Sequence, residues 1–396
     1  MPSPTCLRPA STDHLISILN QSDTSIRRPP CFRQVLNLMN MLYQVDISID
    51  HVTVPVKMVA LVRDQWFQGN ATLYRMFQNP RVLTVTDRYT SETSNVNLIR
   101  SLRPKPLGSG DALKEVLRVI EESRSGCNFC GTDHTLQDTF GRLRVAQNNI
   151  FTAENSFRFY DYSGLVIPGD IHNFMEVDYE TFKSMILSAA VPWFRNIHSL
   201  HRSNTHPILV WDIMSKAGAS QVHPHIHTLL GKGRYPGKWG LMDQAKTRYH
   251  TDTGGRDYLQ DIVDLHVSVG LGMRYKSAAV IVTINPVKDR EIWVIGTDNL
   301  SDWTCLHFLA YRTFIEELEV YCFSQSMAIP SSEVTGWKKH GGSGDLMVAK
   351  IGARGDCTSS FNDVSALELY SINSIAMDYY ETMRAFEKTF KKYEPI

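Results

Sequence analysis

The sequence predicts an α+β fold: a mostly antiparallel sheet with helices packed on it, built from two copies of one unit behind an N-terminal extension. Three observations carry this expectation. Strand-like runs rich in β-branched and aromatic residues alternate with long helical runs from about residue 157 onward. The order strand, strand, helix, strand occurs twice. The first 78 residues follow a different pattern and hold no recognisable chemistry.

Along the chain, "FRQVLNLMNMLYQ" reads as a helix within the extension. "SGDALKEVLRVIEES" follows as another, with Leu113, Val116, Leu117 and Ile120 at helical spacing. "FRFYDYSGLVI" (157–167) reads as a strand and "DYETFKSMILSAAVPWFRNIHSLHR" (178–202) as a helix that Pro192 bends or divides. "PILVWDIM" (207–214) is a strand, and "SQVHPHIHTLLG" (220–231) a further one. The second pass runs through "AAVIVTI" (278–284), "REIWVIGT" (290–297), a helix in "DWTCLHFLAYRTFIEELEVYCF" (302–323) and a strand in "DLMVAKIG" (345–352). The end, "VSALELYSINSIAMDYYETMRAFEKTF", reads as one long amphipathic helix. The expected organisation is an extension over 1–78, a first unit over 79–240 and a second, degenerate unit over 241–396.

The duplication is unequal. "VIPGDIHNF" of the first unit matches "VIGTDNLSD" of the second, where His172 has no counterpart. "VHPHIHTLL" likewise matches the histidine-free "LMVAKIGAR". Only the first unit keeps the chemistry.

Composition narrows the function. Lys plus Arg and Asp plus Glu number 41 each in 396 residues, so no global field favours nucleic acid or an anionic membrane. No apolar run approaches the roughly 18 residues of a membrane span. The N-terminal stretch lacks the continuous apolar core of a secretory signal. Seven scattered cysteines, an odd number, argue against a disulfide framework and for a reducing, cytoplasmic compartment. In that setting the sequons at Asn20, Asn70 and Asn299 carry little meaning.

Three stretches could carry chemistry. In "HPHIH", side chains at i, i+2 and i+4 of a strand share one face, so His223, His225 and His227 would line up at roughly 7 Å steps. The upstream "KAGAS" allows a backbone to approach a ligand closely. "CNFC" offers two thiolates, Cys127 and Cys130, of the four ligands that tetrahedral zinc takes. His134, His172 and His223 are candidates for the others; a redox pair or two core cysteines are the alternatives. In "IRSLRPKP", Arg100 and Arg103 could clamp a polyphosphate, or form a solvated basic loop.

Taken in order, RxxRP, CxxC, a lone histidine after a "GLVIP" strand, a helix and "AGASxxHPHxH" resemble the galactose-1-phosphate uridylyltransferase-like family of the histidine-triad (HIT-like) superfamily. The resemblance covers about residues 80 to 396 and implies two HIT-like units. It implies zinc on Cys127, Cys130, His172 and His223. It further implies that His225 is the nucleophile forming a covalent nucleotidyl-histidine, and that Arg100, Arg103 and Ser220 hold the phosphates of a nucleotide or nucleotide-sugar substrate. Family members often form homodimers.

Two departures stand out. Transferases of the family carry Asn-x-Gly ahead of "AGAS", where this chain has "WDIMSKAGAS" with Asp212 and Met214. They carry glutamine where this chain has His227, which can both hydrogen-bond a phosphoryl group and protonate a leaving group. Three functions stay open: transfer from a nucleoside diphosphate sugar or related pyrophosphate, histidine-triad hydrolysis with His227 as a second catalytic residue, and a silent nucleotide-binding protein.

Elsewhere, "HGGSGD" (340–345) reads as a hairpin connection and "ARGD" (353–356) as a chance string. His198, His201 and His206 read as surface residues. Trp193, Trp211, Trp293, Cys305 and Cys322 read as core.

Overall fold

The structure is a computed structural model that describes residues 6–20, 29–103, 111–145, 147–337, 345–359 and 362–394. Its strands are β1 (Tyr43–Ile49), β2 (Arg81–Asp87), β3 (Thr93–Val96), β4 (Arg144–Val145), β5 (Ile150–Glu154), β6 (Ser163–Pro168) and β7 (Asn204–Ile213), then β8 (Ile226–Lys232), β9 (Gly272–Tyr275), β10 (Ala278–Val282), β11 (Ile292–Gly296), β12 (Phe323–Ala328), β13 (Val348–Ala353) and β14 (Asn373–Ile375). Ten of them form one antiparallel sheet in the order β4-β5-β6-β8-β7-β12-β13-β11-β10-β9. The duplication is plain in that order. The run β5-β6-β8-β7 of the first unit is mirrored by β12-β13-β11-β10 of the second, with β7 and β12 paired at the centre.

Residues directly opposed on neighbouring strands share a face. Leu165, His227, Val210, Ser326, Lys350 and Trp293 follow one another across six strands and form one such row. His227 therefore has Lys350 as its counterpart in the second unit, one residue away from the match expected from sequence. Trp211 and Gln325 point to the other face. There Trp211 stacks on Tyr311 at 5.3 Å, and Gln325 bonds His307, both from the helix Leu300–Glu316. Helices thus cover one face, and the histidine face lies opposite.

Local sequence explains most of the elements. In the helix Ala112–Glu122, capped by Asp111, Val116 and Ile120 are buried while Leu113 and Leu117 stay exposed. Residues Tyr179–Leu200 run as one unbroken helical stretch. Pro192 does not divide it: a π-helical segment, Ser184–Ala190, precedes the proline and widens the ladder where its ring would crowd a carbonyl. Gly164 allows close packing of this helix on the sheet, since a Cβ there would lie 2.7 Å from the Trp193 ring.

Several expectations fail for identifiable reasons. Only residues from Ser163 onward of 157–167 are strand. β5 and β12 had not been singled out, and the 302–323 helix ends at Glu316. The terminal segment is not one helix: Ala366–Tyr370 is helical, β14 pairs in parallel with β3, and the helix Tyr379–Tyr393 follows. β14 joins β1, β2 and β3 in a four-stranded sheet that draws together residues from the extension and the chain's end. His198 is buried, with Nδ1 against the Asn204 carbonyl at 2.9 Å, whereas His201 is exposed. Trp193, Trp211 and Trp293 are core, as is Cys305. The "HGGSGD" stretch lies outside the described residues except for Asp345.

Disulfides, argued against by the odd cysteine count, are present: Cys6–Cys31 and Cys322–Cys357. The second follows from topology, because β12 begins beside the end of β13, with Phe323 opposite Ala353. Cys322 is therefore bonded rather than a free core thiol. Spacing in sequence does not reveal pairs that only a strand ladder brings together. The cysteine count gives no support to a reducing compartment. Among the described residues no helix is long and apolar enough to cross a membrane.

Trp211 is fully buried. Trp211→Ala is expected to cost about 3–5 kcal/mol in urea denaturation, and Leu200→Ala, at an exposed position, less than about 0.5 kcal/mol.

Candidate functional site

Four donor side chains converge at one end of the histidine face. Cys127 and Cys130 lie on the turn that follows the helix Ala112–Glu122. His172 follows β6, and His223 precedes β8. Their donor atoms all lie within 4.8 Å of one another. His172 Nδ1 is 3.2 Å from both Cys130 Sγ and His223 Nδ1; His223 Nδ1 is 3.5 Å from each sulfur. Tetrahedral zinc with the usual Zn–S and Zn–N lengths has N···N and N···S edges of about 3.3–3.6 Å, close to these separations.

The outer hydrogen bonds fix which nitrogens face inward. His172 Nε2 donates to the Ile120 carbonyl at 3.1 Å, and His223 Nε2 to the Pro168 carbonyl at 2.9 Å. Both Nδ1 atoms then point lone pairs at each other, an arrangement that repels unless a cation or proton sits between them. Burial lowers the pKa of both imidazoles, His223 to about 4, so a proton is disfavoured there. Burial, then the Cys127 sulfur, pushes the Cys130 thiol up to about 11, a penalty on the thiolate that a bound cation would remove. The donor set fits a metal ion. His134 is exposed and stands outside the cluster.

The three histidines do not share a strand as expected. β8 begins at Ile226, so only His227 lies in the ladder, and His223, Pro224 and His225 form the approach to it. Pro224 can supply no ladder N–H, which suits it to that approach. His225 is buried at 3% exposure, against the edge of Phe129 at 5.1 Å and the His227 ring at 5.1 Å. Its Nδ1 donates to the His223 carbonyl at 2.9 Å, which leaves Nε2 as the lone-pair nitrogen. Desolvation first, and His227 second, lower its pKa to about 3, so the ring is neutral near pH 7.

His227 is half-buried, with Asn155 Nδ2 at 3.5 Å from Nδ1 and the Phe159 ring at 6.3 Å. Burial lowers its pKa, while the Asp212 charge acts in the opposite direction. Ser220 is exposed, five residues before His225, on the loop opened by the turn Ser215–Ala217. Arg100 and Arg103 lie on and just after the turn Leu98–Leu102, exposed and without an ion pair to any described residue. No contact among the described residues joins them to the histidines, and Pro104 and Pro106 lie outside the described residues.

Phe129 had not been singled out. It packs on a small apolar cluster of Phe151, Ala153, Leu165 and Ile167 beside the histidines. Its position inside "CNFC" was the available signal: a turn that brings two sulfurs to a metal also brings the residue between them. On the second unit's half of this face, Trp239 Nε1 donates to Ser326 Oγ at 2.9 Å, and Lys350 Nζ lies 3.9 Å from the Trp293 ring centre. Side chains fill that half.

No protein-family model matches the sequence, and no curated protein matches it. Solved structures do match in shape. An ADP-glucose phosphorylase from Arabidopsis thaliana with bound ADP-glucose aligns over 77% of this chain and 97% of its own, at TM-score 0.54 and 12% identity. A uridylyltransferase aligns over 79% of this chain and 99% of its own, at TM-score 0.52 and 12% identity. A GalT-like protein from Arabidopsis thaliana aligns over 66% and 91%, at TM-score 0.51 and 14% identity. The mirrored ten-stranded sheet and the likeness to these three proteins agree: this chain has the fold that the ADP-glucose phosphorylase, the uridylyltransferase and the GalT-like protein share.

Proposed function

We propose that the chain is a zinc-containing nucleotidyltransferase that cleaves a nucleoside diphosphate sugar, or a related nucleotide pyrophosphate, through His225. One observation carries this: the hydrogen bond from His225 Nδ1 to the His223 carbonyl, which presents an unprotonated Nε2 on a neutral ring. In the first step the Nε2 lone pair forms an N–P bond to the α-phosphorus. The bond from that phosphorus to the bridging oxygen breaks, and the sugar phosphate leaves with the electron pair. In the second step an acceptor oxygen attacks the same phosphorus and the imidazole departs.

Ser220, Arg100 and Arg103 would hold the phosphates. Backbone N–H groups near Ser220 and the guanidiniums suit the negative charge that grows on the phosphoryl oxygens. Cys127, Cys130, His172 and His223 would hold zinc, whose part when bound is structural, because four protein donors leave no open position. His223 would then be at once a ligand and, through its carbonyl, the acceptor that orients His225 two residues on. A solved protein of this fold carries ADP-glucose, which makes that compound the first substrate to test.

Hydrolysis is the second reading, favoured by His227. Its ring lies 5.1 Å from that of His225; burial lowers its pKa, and the Asp212 charge acts against that shift. A protonated His227 could give its proton to a leaving group, which glutamine cannot do.

Acid-labile protein label is expected after incubation with ADP-glucose labelled at the α-phosphorus, and its absence with this and other sugar nucleotides would count against the proposal. His225→Ala should abolish the label and lower turnover by on the order of 10³-fold or more. His227→Gln should keep the label and shift products from free nucleoside monophosphate toward transfer if hydrolysis operates in the wild type; product chromatography reads this directly. Elemental analysis should find one zinc per chain, lost in His172→Ala and retained in His134→Ala. Chelation should lower stability by about 3 kcal/mol or more, the linkage value for a metal at a hundred times its Kd.

A further inference from the structure

The loop that carries Ser220 toward His223 and His225 has an unusual backbone. Met214 has φ +68° and Gly218 φ +119°, with the single turn Ser215–Ala217 between them. Its internal hydrogen bonds are all short-range: Ala217 N to Met214 O, Gly218 N to Ser215 O and Ala219 N to Met214 O. A backbone in left-handed territory held only by neighbours needs restraint from elsewhere.

That restraint comes from the second unit, from Lys216 Nζ donating to the Ser359 carbonyl at 2.8 Å and from the arginine of the "ARGD" string. Arg354 Nη1 donates to the Ala217 carbonyl at 2.6 Å and to Ser324 Oγ at 2.9 Å. Ser324 Oγ in turn donates to Asp212 Oδ1 at 2.5 Å. Asp212 lies across the ladder from Ser324, on the same face as His227, and a Cβ at Gly218 would lie 3.4 Å from its other carboxylate oxygen. Asp363 fixes the far side of the guanidinium, accepting from Nε at 3.0 Å, and Lys288 pairs with the same carboxylate at 3.0 Å.

We propose that Arg354 is a positioning residue: it links β12 and the Ala217 carbonyl so that the degenerate unit sets the shape of the loop leading to His225 in the other. Both Nη1 hydrogens are used by Ala217 and Ser324, and Asp363 takes Nε and Nη2, so the guanidinium is committed to protein partners rather than to a phosphate. The inference rests on the nucleotidyl-transfer reading for its activity readout alone.

Hydrogen exchange on the full chain tests the hold itself. Peptides spanning 214–220 should exchange about tenfold faster or more in Arg354→Ala, while β10 and β11 keep their protection and the metal content is unaltered. With ADP-glucose as the probe, kcat should fall roughly 100-fold with little change in KM, as expected for a misplaced rather than missing reactive group. Added guanidinium ion should restore part of it. If Arg354→Ala does not fold, Arg354→Lys, which keeps the charge and loses the fork, is compared in the same way. Wild-type exchange at 214–220, or wild-type turnover by a variant whose loop has loosened, overturns the proposal. If the wild type itself turns over no sugar nucleotide, the transfer reading fails, and the exchange comparison still decides whether Arg354 holds the loop.

Discussion

His223 carries the constraint on which the site depends. Its Nε2 is tied to the Pro168 carbonyl, its Nδ1 faces two sulfurs and a second imidazole, and its own carbonyl receives the Nδ1 proton of His225. One residue thereby joins the end of β6, the cysteine turn and the approach to β8. Rotate that ring and the donor cluster opens; shift its backbone carbonyl and the neighbouring buried imidazole loses the bond that fixes its tautomer. The apolar wall of Phe129 and Leu165 excludes water from the same spot, which makes each of these bonds count for more.

The remainder of the fold serves that arrangement from a distance. Helices bury Trp211, Trp193 and Phe182 on one face of the sheet, and the row that holds His227 lies on the other. Because β7 and β12 pair at the centre, Asp212 of one unit and Ser324 of the other meet directly. The second unit has no counterpart of His172, His223, His225 or His227, yet it stays in contact with the first unit's polar face.

Much of this was legible in the sequence because its signals are local. The two passes of strand, strand, helix and strand follow from periodicity; CxxC marks two donors, while the choice of His172 and His223 over His134 as their partners comes from the family resemblance and not from the local pattern. What was missed depends on partners far away in sequence. β14 is a strand because β3 offers it an edge, and its own residues, lying among helix formers, do not announce it. Cys322 and Cys357 meet because β12 and β13 are neighbours. Pro192 reads in sequence as bending or dividing its helix, but a helix with room to widen absorbs a proline without being divided. His223 and His225 were placed on a strand whose ladder starts only at Ile226. "ARGD" looks like chance as a string; the contacts of Arg354 exist only once the sheet has formed.

Trp239 bears on what lines the second unit's half of the sheet. Its indole, anchored to Ser326, sits over the strip that mirrors the neighbourhood of His227, alongside Lys350 and Trp293. An imidazole placed at position 350 would meet two tryptophan rings, where His227 has Phe159 and Asn155 as neighbours. The two halves of the sheet thus mirror each other in strand order but not in what lines their faces.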